Sequence, residues 1–344
     1  MLLSYKTFVL EYKHPFGVSS NTRTSTTSVF IKIEHQGKTG YGEACLPVYL
    51  GETLEGTIAF FEKIKPFLVQ HASSSFSEII KTIDEFSKEN NAAKAAIDIA
   101  LNDLAGKIER KPFYDLMGIG KSDSRLTSYT IGIDAEEMIG QKIKEAGDFS
   151  ILKIKAGTKD DKALINLIRK YTDKPLYVDV NQGWKNKEQV LEMLHWLHEK
   201  DVILIEQPMP VTMLDEMAWV TERSPIPTIA DESVKRLKDL DALKGCFTGV
   251  NIKLMKSTGL TEALEMVKYA KQNNLQILLG CMAESSCATS AMAQLMQFAD
   301  YVDLDAPNLL KNDPFTGVQY KNGKVYLNDL PGIGVEPVKD LFNL

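Results

Sequence analysis

Eight short, mostly apolar runs recur between residues 126 and 306, separated by longer segments in which apolar side chains return every three to four residues. The runs are 126–133 (LTSYTIGI), 149–156 (FSILKIKA), 175–181 (PLYVDVN), 202–208 (VILIEQP), 227–233 (PTIADES), 249–255 (GVNIKLM), 276–282 (QILLGCM) and 301–306 (YVDLDA). Between the third and fourth, Val190, Met193, Leu194 and Leu197 follow i, i+3, i+4, i+7 spacing, which predicts an amphipathic helix over 187–198. Near-continuous apolar strands separated by helices imply a parallel sheet buried on both faces. The pattern predicts an α/β chain with a (β/α)7β TIM-like barrel, seven full units and a last strand.

The first 120 residues follow a different rhythm. TSVFIKIEHQGKTGYGEACL reads as two strands joined at Gln36-Gly37-Lys38, and three helical stretches follow. The third, 92–107 (AAKAAIDIALNDLAGK), carries small residues along one face and so permits close packing. These features predict an N-terminal α+β capping domain over 1–120, completed by the C-terminal tail 320–344, and a barrel over 121–319.

Composition narrows the partners. With 44% apolar residues the chain can bury a large core. Forty Lys and Arg against 46 Asp and Glu give a formal charge of −6, and no basic tract suits nucleic acid, so a small-molecule partner is expected. Residues 1–13 lack the apolar stretch of a signal peptide, and nothing approaches the roughly 18 apolar residues of a membrane span. Cys45, Cys246, Cys281 and Cys287 form no CxxC pair, as expected of a reduced, cytoplasmic protein. Further copies of the chain are the expected assembly partner, giving a homo-oligomer.

The runs end on ionisable residues. Asp179, Glu206, Asp231 and Lys253 close the third to sixth runs at separations of 27, 25 and 22 residues; Lys155 closes the second, and Asp303 and Asp305 lie in the eighth. Such residues at the C-terminal ends of barrel strands converge on one mouth. Asp179, Glu206 and Asp231 come from neighbouring strands and make a hard oxygen site suited to Mg²⁺, one per subunit, without the His or Cys that zinc favours. Lys155 and Lys253 come from strands four apart in a ring of eight and face each other across the bore. Lys153 shares the inward side with Lys155. A carboxylate substrate held there has a weakly acidic α-proton, and a lysine whose pKa a nearby cation lowers can remove it, helped by the charge of Lys153 and the metal. A second lysine opposite can return the proton on the other face, which is racemisation or epimerisation.

KIK at 153–155, DVNQGW at 179–184, IEQP at 205–208, ADES at 230–233, NIKL at 251–254 and the helix AAIDIALNDLAGK occur in order and span both domains. At these positions the chain resembles the enolase superfamily, in its muconate-lactonizing-enzyme-like subgroup. The resemblance implies Lys155 and Lys253 as the acid/base pair and Asp179, Glu206 and Asp231 as Mg²⁺ ligands.

Asp303-Leu304-Asp305 looks like the feature by which dipeptide epimerases hold a substrate's free ammonium, with both carboxylates on one face by the two-residue period. The implied activity is inversion of the C-terminal residue of L-Ala-Xaa dipeptides. N-acylamino acid racemisation and o-succinylbenzoate synthesis are alternatives within the superfamily; a non-catalytic metabolite-binding barrel is the alternative outside it. Cap loops 16–26 and 47–53 are expected over the mouth. Arg23 would meet the distal carboxylate of a glutamate, although by resemblance the usual arginine position falls nearer Asn21, so a small or hydrophobic second residue stays open. Thr130 either lines the site or packs as a β-branched core residue. Cys281 and Ala283 are expected to offer main-chain contacts, and His195 and His198, on an outer helix, to be surface or packing residues rather than a metal pair. For Asp303 and Asp305 the competing structural roles are pairing with Lys153 and capping of the following segment.

Overall fold

The structure, a computed structural model, describes residues 1–18, 21–46, 48–338 and 341–342. Three antiparallel strands open the chain, β1 (Leu2–Val18), β2 (Asn21–His35) and β3 (Lys38–Cys45). Gln36 and Gly37 both adopt positive φ (50° and 70°), the two-residue turn that matches strand twist, and Lys38 already pairs with His35. Four helices follow: α1 (Leu54–Gln70), α2 (Phe76–Glu85), α3 (Asn91–Glu109) and the short α4 (Phe113–Leu116). The small-residue stripe of α3 lies so close to β3 that a Cβ on Gly42 would stand 2.0 Å from the carbonyl oxygen of Ala96.

A two-residue strand, β4 (Arg125–Leu126), precedes the eight parallel strands of the barrel. These are β5 (Ser128–Ile131), β6 (Ile151–Lys155), β7 (Leu176–Asp179), β8 (Val202–Glu206), β9 (Thr228–Ala230), β10 (Gly249–Ile252), β11 (Gln276–Gly280) and β12 (Tyr301–Asp303), hydrogen-bonded in chain order. Each predicted run contains one strand but overshoots it, because the C-terminal residues peel away into mouth loops. Asp231 and Lys253 therefore sit one residue beyond their strands.

The connecting helices are α5 (Glu136–Glu145), α6 (Asp161–Arg169), α7 (Lys187–His198), α8 (Leu214–Arg223), α9 (Leu260–Gln272) and α10 (Ser286–Ala293). The fifth connection carries a 3₁₀ helix, Leu237–Leu243, where a regular α-helix was expected. His195 and His198 are exposed on α7.

Side chains bridge the seam between β5 and β12. Ser128 Oγ donates to Asp303 Oδ1 (2.6 Å), Leu304 N to Thr127 Oγ1 (2.9 Å) and Thr130 N to Asp305 Oδ2 (2.6 Å). After α11 (Ala306–Leu309), β13 (Phe315–Thr316) pairs with β16 (Glu336–Pro337), while the hairpin of β14 (Gln319–Lys321) and β15 (Lys324–Tyr326) pairs with β4. Residues between these pairs reach α3, where Ile333 N donates to Asp103 Oδ1 at 3.0 Å.

Two buried carboxylates of the N-terminal region hold barrel helices by their N-termini, where unpaired N–H groups and the helix dipole favour negative charge. Asp98 Oδ1, on α3, accepts from Leu260 N (2.5 Å) and Thr261 N (3.2 Å). The approach needs a glycine before α9, since a Cβ on Gly259, at φ +115°, would lie 2.3 Å from Asp98 Oδ1. Glu43, on β3, accepts from Ser285 N and Ala288 N at the start of α10. Among the described residues no helix is long and apolar enough to cross a membrane, and all four cysteines are free thiols.

Candidate active site

Alternation along β6 sends Lys153 and Lys155 into the bore and Ile154 into the helical layer. Lys153 Nζ lies 2.9 Å from Glu206 Oε2, 3.2 Å from Asp179 Oδ2 and 2.7 Å from Asp303 Oδ2. Lys155 Nζ lies 2.6 Å from Asp179 Oδ2 and 3.5 Å from Asn181 Oδ1. Across the ring, Lys253 Nζ stands 2.8 Å from Asp231 Oδ2 and 3.8 Å from Glu206 Oε1. Lys153 thus bridges Asp179 and Glu206, while Lys253 stands between Glu206 and Asp231.

A cavity of about 590 Å³ opens above this row. Lys153, Lys155, Asp231, Lys253, Asp303 and Asp305 all line it, as do Thr130, Cys281, Ala283 and Arg23. Asp179 and Glu206 lie beneath its floor, fully buried. Arg23 pairs with Phe16 in the β1–β2 ladder and lines the cavity beside Tyr12, and its guanidinium has no ion-pair partner among the described residues. The side chain of Asn21, and residues 19, 20 and 47 of the expected cap loops, lie outside the described residues.

Burial pushes the Asp231 carboxyl up, but Lys253 and Lys256 outweigh it and hold the group well below the usual carboxylate range. Asp179 is likewise lowered, burial being outweighed by Lys155 and Lys153. The lowered pKa expected of a base lysine is not found at Lys253. Burial works to lower Lys153 and Lys253, yet surrounding carboxylates dominate and hold both well above the ordinary lysine value. Burial and then Asp303 push Asp305 up to about 7, and burial raises the Cys281 thiol well above its usual value.

The eighth strand departs from the expected period. β12 ends at Asp303, and Asp305 begins the turn into α11, so the two carboxylates reach the cavity by different routes. Asp303 has both oxygens engaged, by Ser128 and Lys153; Asp305 accepts from the Thr130 backbone. Cys281 bonds through its backbone N–H and its thiol to the carbonyl of Asp303, and the Ala283 carbonyl accepts from the Cys45 thiol.

Three further groups were not singled out from the sequence. Tyr177, two residues before Asp179 and so on the inward face, donates its hydroxyl to Glu206 Oε2 and sets its ring 4.7 Å from Lys153 Nζ. Asn251, two before Lys253, donates to Glu206 Oε1 at 2.5 Å. Lys256, in the loop after β10, is fully buried beside Asp231. The two-residue period marks Tyr177 and Asn251 as inward; only the loop's fold places Lys256.

The donor chemistry suits a hard divalent cation: three buried carboxylates on adjacent strands, with no imidazole or thiol between them. Each turns at least one oxygen toward a lysine ammonium, the position a positive ion competes for. With those ammonium groups in place, no three His, Cys, Asp or Glu among the described residues close up into a ligand cluster.

A capped parallel barrel with carboxylates on three successive strand ends and opposed lysines beside them offers oxygen donors suited to a metal ion and amines able to exchange protons, the equipment of an enzyme site. Residues 134–341 match the enolase C-terminal domain-like model and residues 4–118 the N-terminal domain model of mandelate racemase / muconate lactonizing enzyme. The chain belongs to this family, within the enolase superfamily. It is 48% identical over 338 residues to an L-Ala-D/L-Glu epimerase of Bacteroides thetaiotaomicron, covering 97% of this chain and 88% of that one. A substrate-liganded L-Ala-D/L-Glu epimerase from Bacillus subtilis superposes with a TM-score of 0.91 at 26% identity over 97% of this chain and 98% of that one. A dipeptide epimerase from Enterococcus faecalis, complexed with Mg and L-Leu-L-Tyr, gives 0.88 at 31% identity over 97% and 98%.

Proposed function

We propose that this chain is a Mg²⁺-dependent dipeptide epimerase that inverts the α-carbon of the C-terminal residue of L-Ala-Xaa dipeptides. The observation that carries the reading is the pair of lysines, Lys155 and Lys253, on opposite strands of one cavity and each within 2.8 Å of a carboxylate in the same row. The kinship with dipeptide epimerases supports the substrate class.

One lysine, as the free amine, takes the α-proton; the C–H electron pair passes into the substrate carboxylate, giving an enediolate. The opposite lysine, as the ammonium, then delivers a proton to the other face of the same carbon. Lys153, held between Asp179, Glu206 and Asp303, keeps its charge and faces the growing negative charge. Asp179, Glu206 and Asp231 would hold Mg²⁺. Bound there, the ion supplies positive charge that lowers the cost of removing the α-proton.

Asp303 and Asp305 give the far wall the negative charge that a dipeptide's free ammonium needs, while Thr130, Cys281 and Ala283 shape the space between. Arg23, which lines the cavity and has no ion-pair partner among the described residues, favours glutamate as the second residue. We further propose that residues 1–120, completed by the tail 320–344, act as the cap over barrel 121–319; the helix-capping carboxylates Glu43 and Asp98 support that docking. The free thiols fit a reducing cytoplasmic setting, and the chain works there as a homo-oligomer.

The test is incubation of L-Ala-L-Glu and other L-Ala-Xaa dipeptides with Mg²⁺ in D₂O. Loss of the C-terminal α-proton signal together with appearance of the diastereomer is expected for L-Ala-L-Glu, and chelation should stop it. Absence of exchange with every dipeptide would leave the site a binding barrel.

A further inference from the structure

Lys256 is a third lysine at the metal-site carboxylates, and its geometry differs from the others. Its ammonium is fully buried and has three acceptors: Asp231 Oδ1 at 2.6 Å, the Asp231 carbonyl at 2.7 Å and the Asn251 carbonyl at 2.9 Å. An ammonium has three N–H donors, and all three are used. With every N–H engaged by protein oxygens and no access to the cavity, such a group is not placed to exchange a proton with a substrate. Its effect is on Asp231. One oxygen of that carboxylate is fastened to the loop after β10, and the other, Oδ2, is turned to Lys253.

We propose that Lys256 is a positioning residue that makes Asp231 a one-oxygen ligand and thereby selects a small octahedral cation over a larger one. The inference rests on reading Asp231 as a metal ligand. Mg²⁺ demands near-octahedral geometry from single oxygens, whereas Ca²⁺ accepts six to eight oxygens and readily takes both from one carboxylate. A carboxylate with one oxygen fastened offers the first arrangement and denies the second. Asp179 follows the same plan, since its Oδ1 accepts from the backbone N–H of Asn181 at 3.1 Å while Oδ2 faces the lysines. For Asp231, which lies just past its strand, the fastening is made by a side chain and can be removed by substitution.

The test is calorimetric titration of the full chain, without substrate, with Mg²⁺ and then Ca²⁺, comparing wild type with Lys256→Met. Loss of one buried positive charge changes attraction for both divalent ions in the same direction, so the ratio of their dissociation constants isolates the denticity of Asp231. The ratio should move toward Ca²⁺ by about ten-fold or more in the variant as Asp231 becomes free to offer two oxygens. A purely structural lysine would lower the melting temperature and leave the ratio where it was. That result overturns the proposal while leaving the metal site intact. A wild-type chain that binds neither ion overturns the metal-site reading itself.

Should Lys256→Met not fold, infrared difference spectra of the wild type labelled with ¹³C-carboxyl aspartate answer the same question. Mg²⁺ should produce only one-oxygen aspartate bands. A two-oxygen aspartate band would overturn the proposal.

Discussion

Glu43, on the last strand of the N-terminal sheet, accepts the backbone N–H of Ser285 on both carboxylate oxygens at 3.1 Å, across 242 residues of sequence. Burial pushes its pKa from the ordinary 4.5 up to about 7, against the hydrogen bonds from Ser285 and Ser28. Between those values the folded chain keeps a proton that the unfolded chain has lost. The stabilisation is therefore complete below pH 4.5 and lost as pH rises through about 7, and the difference amounts to about 3 kcal/mol. Thermal melts between pH 4.5 and 8 should show Glu43→Gln with a flatter dependence than wild type. Parallel curves would mean that Glu43 does not titrate in this range.

Replacing either opposed lysine should stop epimerisation in both directions, because each direction needs one lysine to take the proton and the other to return it. Lys155→Ala and Lys253→Ala are each expected to lose about 10³-fold or more in turnover. In D₂O, each variant should still exchange the α-proton of whichever diastereomer faces its remaining lysine. Normal inversion by either variant would refute the two-base assignment.

Asp305 reaches the cavity through the turn after β12, and Thr130 N occupies only Oδ2. If it holds the substrate ammonium, Asp305→Asn should raise KM for L-Ala-L-Glu and lower kcat/KM by roughly ten- to hundred-fold, the range of a lost charged hydrogen bond. N-acetyl-Ala-Glu, lacking the ammonium, should be handled equally poorly by both enzymes. Unchanged kinetics on the free dipeptide would favour N-acyl substrates instead.

Arg23→Met addresses the second residue of the substrate. With the guanidinium gone, kcat/KM for L-Ala-L-Glu should fall by about ten- to hundred-fold while L-Ala-L-Leu is little affected. Equal loss on both substrates would place Arg23 in a structural role.

The strand-end residues were legible because one βα unit has a nearly constant length and the strand's last residues always meet the mouth. Lys155, Asp179, Glu206, Asp231 and Lys253 therefore stand at regular intervals in the chain. The two-residue period also put Lys153 correctly beside Lys155. It also put Asp303 and Asp305 at one cavity, although by another route than a strand, since β12 stops at Asp303 and Leu304 N turns aside to the hydroxyl of Thr127. The fifth helix likewise gave way to a 3₁₀ segment.

By itself the sequence determined the barrel, the order of its strands and which ionisable types stand at each strand end, since these follow from local periodicity and the burial it demands. Only the tertiary structure decided how those charges pair. Lys153 meets Asp303 across 150 residues, Lys256 meets Asp231 across 25, and Glu43 meets Ser285 across 242. These are contacts made through space, where burial makes an unpaired charge so costly that partners are chosen by three-dimensional proximity, which the spacing of residues along the chain does not encode.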